Sequence, residues 1–234
     1  MTEKLVVVIP AHNEDKTLPN ILERQHFELK DHYEYRLMVI DDGSDDRTAY
    51  IALEKGAEVA RHSVALGPGG ALKTGFIMAS EWNADYIVQI DSDGQHNPED
   101  LKELLKTLKE SGNDMVVGSR FLNGKPKMSS VRRLGINFFT WLTNMLTGYT
   151  LTDLTSGYRI FKAEHVNKIA FSAEKHWSIE MTLLAKKNGL TITEAPIQAI
   201  DRKEGCSQFF EIMTFLLYPF RAIKQIISVY NKGE

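Results

Sequence analysis

Tyr86-Ile87-Val88-Gln89-Ile90-Asp91-Ser92-Asp93-Gly94-Gln95 is the stretch on which the fold of this chain turns. Its first half is a continuous apolar run rather than an alternating one, as expected of a strand covered on both faces. Residues 5–9, 37–40 and 115–117 have the same character. Over residues 1–100 such runs alternate with helical patterns, which predicts parallel strands joined by crossover helices. The clearest helix covers residues 97–110, with Asn97 as N-cap, Pro98 at the first helical position, and Leu101, Leu104, Leu105 and Leu108 on one face. A second helix follows the acidic turn 41–46 and stops at Gly56, and a third covers 69–79. The fold class is therefore α/β, with a mostly parallel central sheet flanked by helices.

In such sheets ligands bind beyond the carboxyl ends of the strands, so the residues directly after each apolar run carry the functional reading. Polar clusters stand there four times: Pro10-Ala11-His12-Asn13-Glu14, Asp41-Asp42-Gly43-Ser44, Asp91-Ser92-Asp93-Gly94-Gln95 and Gly118-Ser119-Arg120. Asp91 and Asp93 would point to opposite faces of a continuing strand, but Gly94 lets the backbone bend so that both converge. Two carboxylates ~4 Å apart repel by ~1 kcal/mol in water and ~4 kcal/mol at an effective dielectric of ~20, a conflict that a divalent cation removes. Oxygen ligands from Asp91, Asp93 and Gln95 favour Mg²⁺ or Mn²⁺ over zinc, with open positions for water and diphosphate oxygens. The bland alternative is an acidic turn that only caps the following helix.

Beyond residue 120 the parallel regularity ends. A basic loop carries Lys125, Lys127, Arg132 and Arg133, and residues 134–152 then run without a formal charge. Asn137, Thr140, Asn144 and Thr147 draw a polar stripe along an otherwise apolar helix there, too polar for a membrane span. Near the C-terminus Phe209, Ile212, Met213, Leu216, Phe220, Ile223, Ile227 and Tyr230 trace one helical face, which Pro219 should kink. The basic loop and these two helices together suggest an interfacial face for a membrane surface. With no repeat or linker, the 234 residues are expected to form one domain: a nucleotide half over 1–120, an acceptor half over 121–208 and an amphipathic C-terminal helix over 209–234.

Composition narrows the function classes. Lys and Arg number 28 against 31 Asp and Glu, a net charge of −3, which argues against a nucleic-acid partner. With 43% apolar residues the chain can bury a full core. Cys206 is the single cysteine, which excludes an internal disulfide framework and suits a reducing compartment. The run 5–9 is too short for a secretory signal, so a cytoplasmic location, peripheral on a membrane, is expected.

Taken in order, the four clusters with Gly67-Pro68-Gly69-Gly70-Ala71, Ser156-Gly157-Tyr158-Arg159 and residues 202–207 resemble the inverting family 2 glycosyltransferases. Within that family the likeness is to the polyprenyl-phosphate or dolichol-phosphate mannose or glucose synthases, and it covers residues 4–208. The resemblance implies a GT-A fold, a nucleotide-sugar donor of the GDP-mannose or UDP-glucose type, a polyprenyl-phosphate acceptor, and Mg²⁺ or Mn²⁺ at the DxD pair. By position, Pro10, His12 and Glu14 would border the nucleoside, with Val39 on the same donor side and Asp41 at base or ribose. Asp91, Ser92, Asp93 and Gln95 would hold diphosphate and metal. Arg120 and Arg132, with Arg133 as alternative, would bind the acceptor phosphate, and Arg202 would clamp donor phosphates. Asp93, Arg120, Arg132 and Arg202 would carry catalysis. Two departures stand out: His12 replaces the usual tyrosine, and Gln208, also on the donor side, stands where a lysine often follows serine.

The implied reaction places the metal and Arg202 against charge developing on the departing diphosphate. A lipid phosphate, with its second pKa near ~6, is largely dianionic at neutral pH and needs no strong general base. A sugar hydroxyl acceptor would need one, and Glu180 or Asp153 would be the first candidates. The resemblance also leaves room for a separate membrane subunit as partner. Rival readings fare worse. A P-loop requires glycine directly before Lys73-Thr74, where Leu72 stands. A dinucleotide fold requires a glycine-rich first turn instead of residues 10–14. A sugar nucleotidyltransferase would carry a basic glycine-rich signature at the first strand. A non-catalytic nucleotide-binding module would keep the fold without the Asp91 and Asp93 pair.

Overall fold

The structure is a computed structural model that describes residues 2–124, 126, 128–169, 176–198 and 200. Arg202, Gln208 and the expected helix over 209–234 lie outside the described residues, as do Lys125 and Lys127 of the basic loop.

The strands are β1 Lys4–Ala11, β2 Glu34–Asp41, β3 Glu58–Arg61, β4 Tyr86–Gln89, β5 Met115–Ser119, β6 Arg159–Lys162 and β7 Ile192–Pro196. They form one seven-stranded sheet in the order β3-β2-β1-β4-β6-β5-β7. The helices are α1 Leu18–Leu29, α2 Thr48–Glu54, α3 Gly67–Ser80, α4 Leu101–Ser111, α5 Ser130–Thr147 and α6 Trp177–Lys187. The apolar runs are strands because both their faces are buried. Leu5, Val7 and Ile9 join Leu18 and Leu22 of α1 and the four leucines of α4 in one core cluster. Val6 and Val8 join Leu72 and Phe76 of α3 in the cluster on the opposite face.

From β1 the chain winds outward through β2 to β3, then returns to place β4 on the other side of β1. That reversal opens a crevice between the carboxyl ends of β1 and β4. All neighbouring strands are parallel except β6, which runs antiparallel to both β4 and β5. Because β6 is reversed, its first residue, Arg159, pairs with Gln89 and Val117. The turn before it is thereby delivered to the same sheet edge as Asp91, Asp93 and Arg120.

Two local expectations are corrected. Residues 98–100 form a 3-10 turn that leads into α4, and the Asn97 side chain does not cap the helix; its Oδ1 accepts from Arg24 instead. On α5 the polar stripe is turned inward except at Asn137, which is exposed. Thr140, Thr143 and Thr147 are buried, Asn144 exchanges two hydrogen bonds with the Leu151 backbone, and the Thr140 hydroxyl accepts from Leu154 N–H at 3.4 Å. Phe139 packs with Leu151, Leu154, Ile179 and Leu183 in a third cluster between α5 and α6.

Candidate active site

The loops after β1 and β2 are stitched into one wall. Asn13, at φ +56°, receives a bond from Asp45 N–H at 2.9 Å on its side chain, and its own N–H donates to Ser44 Oγ at 2.9 Å. Glu14 N–H donates to Thr48 Oγ1 at 2.9 Å, and His12 Nδ1 lies 2.8 Å from the Asp42 carbonyl. His12 is exposed and Pro10 is buried in the strand. Asp42 is structural: its carboxylate accepts from Leu66 and Gly67 N–H at the start of α3 and lies 2.7 Å from His62 Nδ1.

Two residues assigned to the donor by resemblance, Val39 and Asp41, are buried. Val39 is fully buried in the core cluster beneath α1, so its side chain is a packing group. Asp41 is likewise buried, its carboxylate held by Ser44 N–H at 3.0 Å and by Arg61 Nε at 3.1 Å. These contacts tie Asp41 to the turn after β2 and to the end of β3.

The β4 loop carries the two carboxylates. Gly94, at φ +73°, provides the bend, and Gln95 N–H donates to Asp93 Oδ1 at 3.0 Å. The Thr17 hydroxyl lies 2.6 Å from Glu14 Oε2 and 2.8 Å from the carbonyl of buried Ser92, tying this loop to the β1 wall. Asp91 is partly exposed and 3.5 Å from His96 Nε2. Its carboxylate sits directly on Gly157: a Cβ at that position would overlap the Asp91 carboxylate oxygens and carbon. A cleft of about 500 Å³ opens beside Asp93, lined among others by Lys16, Thr17, Arg24, His96 and Ile200. Neither His12 nor Asp41 lines it.

The β5 end supplies Arg120, which is clamped. Its Nε donates to Asp153 Oδ2 at 2.7 Å, and Nη2 donates to Asp153 Oδ1 at 2.8 Å and to Thr155 Oγ1 at 2.9 Å. Nη1 makes no hydrogen bond among the described residues. Burial works against the Arg120 charge, but Asp153, and beyond it Asp91 and Asp93, more than restore it and hold the guanidinium above its ordinary value. Burial likewise would raise Asp153, yet the bonds and charge of Arg120 hold it below the ordinary carboxylate range. Glu194 of β7 fixes this turn by accepting from the backbone N–H of Thr152 and of Asp153, both at 2.8 Å. Arg132 and Arg133 stand in the first turn of α5; Ser129 Oγ caps that helix by accepting from Arg132 N–H at 3.3 Å, and the Arg133 guanidinium stacks over Phe121 at 5.6 Å.

The profile of the family described as Glycosyl transferase family 2 matches residues 6–170. The chain belongs to this glycosyltransferase family. It is 33% identical to the UDP-N-acetylglucosamine–dolichyl-phosphate N-acetylglucosaminyltransferase of Methanococcus voltae, over 86% of this chain and 87% of that one. It is 31% identical to the polyprenol monophosphomannose synthase of Mycolicibacterium smegmatis, over 88% and 81% of the two chains. Its fold matches glucosyl-3-phosphoglycerate synthase of Mycobacterium tuberculosis, solved with Mn²⁺ and uridine-diphosphate-glucose, at a TM-score of 0.75 and 20% identity over 97% of this chain and 79% of that one. The GT-A expectation therefore holds.

In this glycosyltransferase no trio of His, Cys, Asp or Glu side chains gathers among the described residues, so a metal would rest on few protein ligands. The residues present fit such an ion: Asp91 is seated in the space left by Gly157 and Asp93 is oriented by the Gln95 amide. This hard-oxygen set suits Mg²⁺ or Mn²⁺ with several positions left to donor oxygens. Sequence reasoning missed three supports. Gly157 and Arg159 stand in the Ser156–Arg159 motif, but their roles depend on contacts far away in sequence, and Glu194 carries no local signal at all. Arg159 is fully buried and donates to the Ser156 and Leu154 carbonyls at 3.0 and 2.6 Å, with its plane over Trp177 at 5.1 Å. Burial pulls its guanidinium down to about 10, while Asp153, Asp91 and Glu194 act against the fall. It is a fixed positive charge behind the acidic cluster.

Proposed function

We propose that this enzyme transfers a hexose, with inversion, from a nucleotide diphosphate sugar to the phosphate of a polyprenyl or dolichyl lipid. The observation that carries the reading is the state of Asp153. The carboxylate nearest Arg120 is consumed by a bidentate ion pair and held in its charged form, so Asp153, one of the two candidate bases for a hydroxyl acceptor, is engaged in holding an arginine; the other, Glu180, is buried in α6. An acceptor that arrives already anionic needs no base. The names of the two relatives, both of which act on polyprenyl or dolichyl phosphates, support the same acceptor class.

In this reading Asp91 and Asp93, with Gln95, hold a divalent cation, Mg²⁺ or Mn²⁺, and the Mn²⁺ complex of the structural neighbour supports that choice. When bound, the ion would draw off negative charge building on the leaving diphosphate. Arg120 offers Nη1 to the acceptor phosphate, with Arg132 or Arg133 completing the contact. An acceptor phosphate oxygen attacks the anomeric carbon as the bond to the diphosphate breaks, its electron pair leaving on the nucleoside diphosphate. Pro10, His12 and Glu14 border the nucleoside, and Arg202 and Gln208 are assigned to donor phosphates by resemblance alone. The donor is of the GDP-mannose or UDP-glucose type. Among the described residues no helix is long and apolar enough to cross a membrane. In this reading the lipid phosphate is met at a membrane surface, with a separate membrane subunit as a further partner.

GDP- and UDP-sugars incubated with polyprenyl phosphate and Mg²⁺ or Mn²⁺, followed by mass spectrometry, test this. A hexosyl-phosphoryl lipid should form with one donor class. No lipid product across the donors, with transfer to a glycan hydroxyl instead, would overturn it.

A further inference from the structure

The outer face of α5 carries an apolar stripe along its length, with exposed Asn137 beside it. Val131, Leu134, Phe138, Trp141 and Met145 fall at i, i+3, i+7, i+10 and i+14, and each is between 45% and 71% exposed. A surface helix ordinarily turns this stripe to the core. Here the inner side is taken by Thr140, Thr143 and Thr147, with Ile136 and Phe139, and Asn144 and Thr140 hold the segment 151–154 that contains Asp153, the partner of Arg120. One side of the helix thus builds the acceptor site while the other faces outward, uncovered by any described residue.

We infer that this outer face of α5 is where the protein docks on an anionic lipid bilayer. The inference rests on the lipid-phosphate reading above and names the surface that reading requires. Charge singles out the bilayer as occupant. Between residues 121 and 152 there are four basic residues, Lys125, Lys127, Arg132 and Arg133, and no Asp or Glu, in a chain whose net charge is −3. Basic residues beside an apolar, Trp-bearing helical face suit the headgroup boundary of an anionic membrane. A seam for a second helix would carry charged flanking positions to fix register, and residues 134–152 have none. Docked this way, the helix holds the Arg120 clamp close to the headgroup layer, where a lipid phosphate enters without its chain leaving the bilayer.

The test uses the full-length protein and vesicles of phosphatidylcholine with phosphatidylglycerol, free of polyprenyl phosphate. The wild type should sediment with these vesicles, less with phosphatidylcholine alone, and brominated lipid should quench Trp141. A Phe138→Glu/Trp141→Glu variant should lose ~10-fold or more in partitioning, as should the milder Leu134→Gln/Trp141→Gln, while both keep wild-type turnover on a short, water-soluble isoprenyl phosphate. Unchanged partitioning of both variants would overturn the proposal. So would a wild-type dimer that these variants dissociate without any change in vesicle binding. Because the vesicles lack acceptor, vesicle binding with no lipid-linked product from any donor would refute the acceptor reading and leave the docking face standing.

Discussion

A methyl group placed on Gly157 would fall in the space now filled by the Asp91 carboxylate. Gly157→Ala should therefore push Asp91 off its seat, costing about 1–3 kcal/mol of stability and weakening Mn²⁺ binding beyond what that loss explains. Calorimetric Mn²⁺ titration of the folded variant checks this, and wild-type affinity would refute the seat. Asp153 is tested through its partner. Asp153→Ala strands the buried Arg120 guanidinium and should destabilise the protein by about 3–5 kcal/mol, read by urea unfolding; a loss below about 1 kcal/mol would show that the pair is not the clamp described. Asp91 and Asp93 were legible in the sequence because they directly follow an apolar run. Gly157 was legible only as part of a motif, because a close approach between loops more than sixty residues apart leaves no local pattern.

Among the elements, the strands with continuous apolar runs were readable, since burial on both faces forbids alternation. β3 was not: Glu58-Val59-Ala60-Arg61 is a short edge strand with charged ends. The reversal of β6 was also hidden, because antiparallel insertion into a parallel sheet is decided by pairing across the sheet. The α5 periodicity was legible but its direction was not. Asp114 links three of these elements at their far ends. It accepts from Thr191 N–H at 2.9 Å and Thr191 Oγ1 at 2.8 Å just before β7, and from Lys162 of β6 at 3.2 Å. Burial alone would raise its carboxyl, yet the Thr191 bonds and Lys162 outweigh it and hold the group at about 2, against an ordinary 3.8. A depressed carboxyl stabilises fully above its unfolded value and loses that contribution as pH falls through the folded one. Stability should thus decline between pH 3.8 and about 2, and Asp114→Asn should flatten that part of the profile in acid-unfolding curves. An unchanged slope would contradict the assignment.

At the scale of the whole molecule, the reversed strand joins two kinds of chemistry on one sheet edge. The parallel half delivers acidic oxygens from β4, and the later half returns through β6 to deliver the turn that seats Asp91 and clamps Arg120. The Asp91 and Asp93 carboxylates thereby lie close enough to Arg120 to act on its charge, and in the reading proposed above the acidic pair takes the cation and the arginine the acceptor anion. Electron paramagnetic resonance of Mn²⁺ titrated into the wild type, Asp91→Asn and Asp93→Asn, each with GDP or UDP present, tests this account most directly. It predicts a bound-ion signal in the wild type, and in both variants affinity reduced by ~10-fold or more. Binding of Mn²⁺ by both variants as tightly as by the wild type would contradict it.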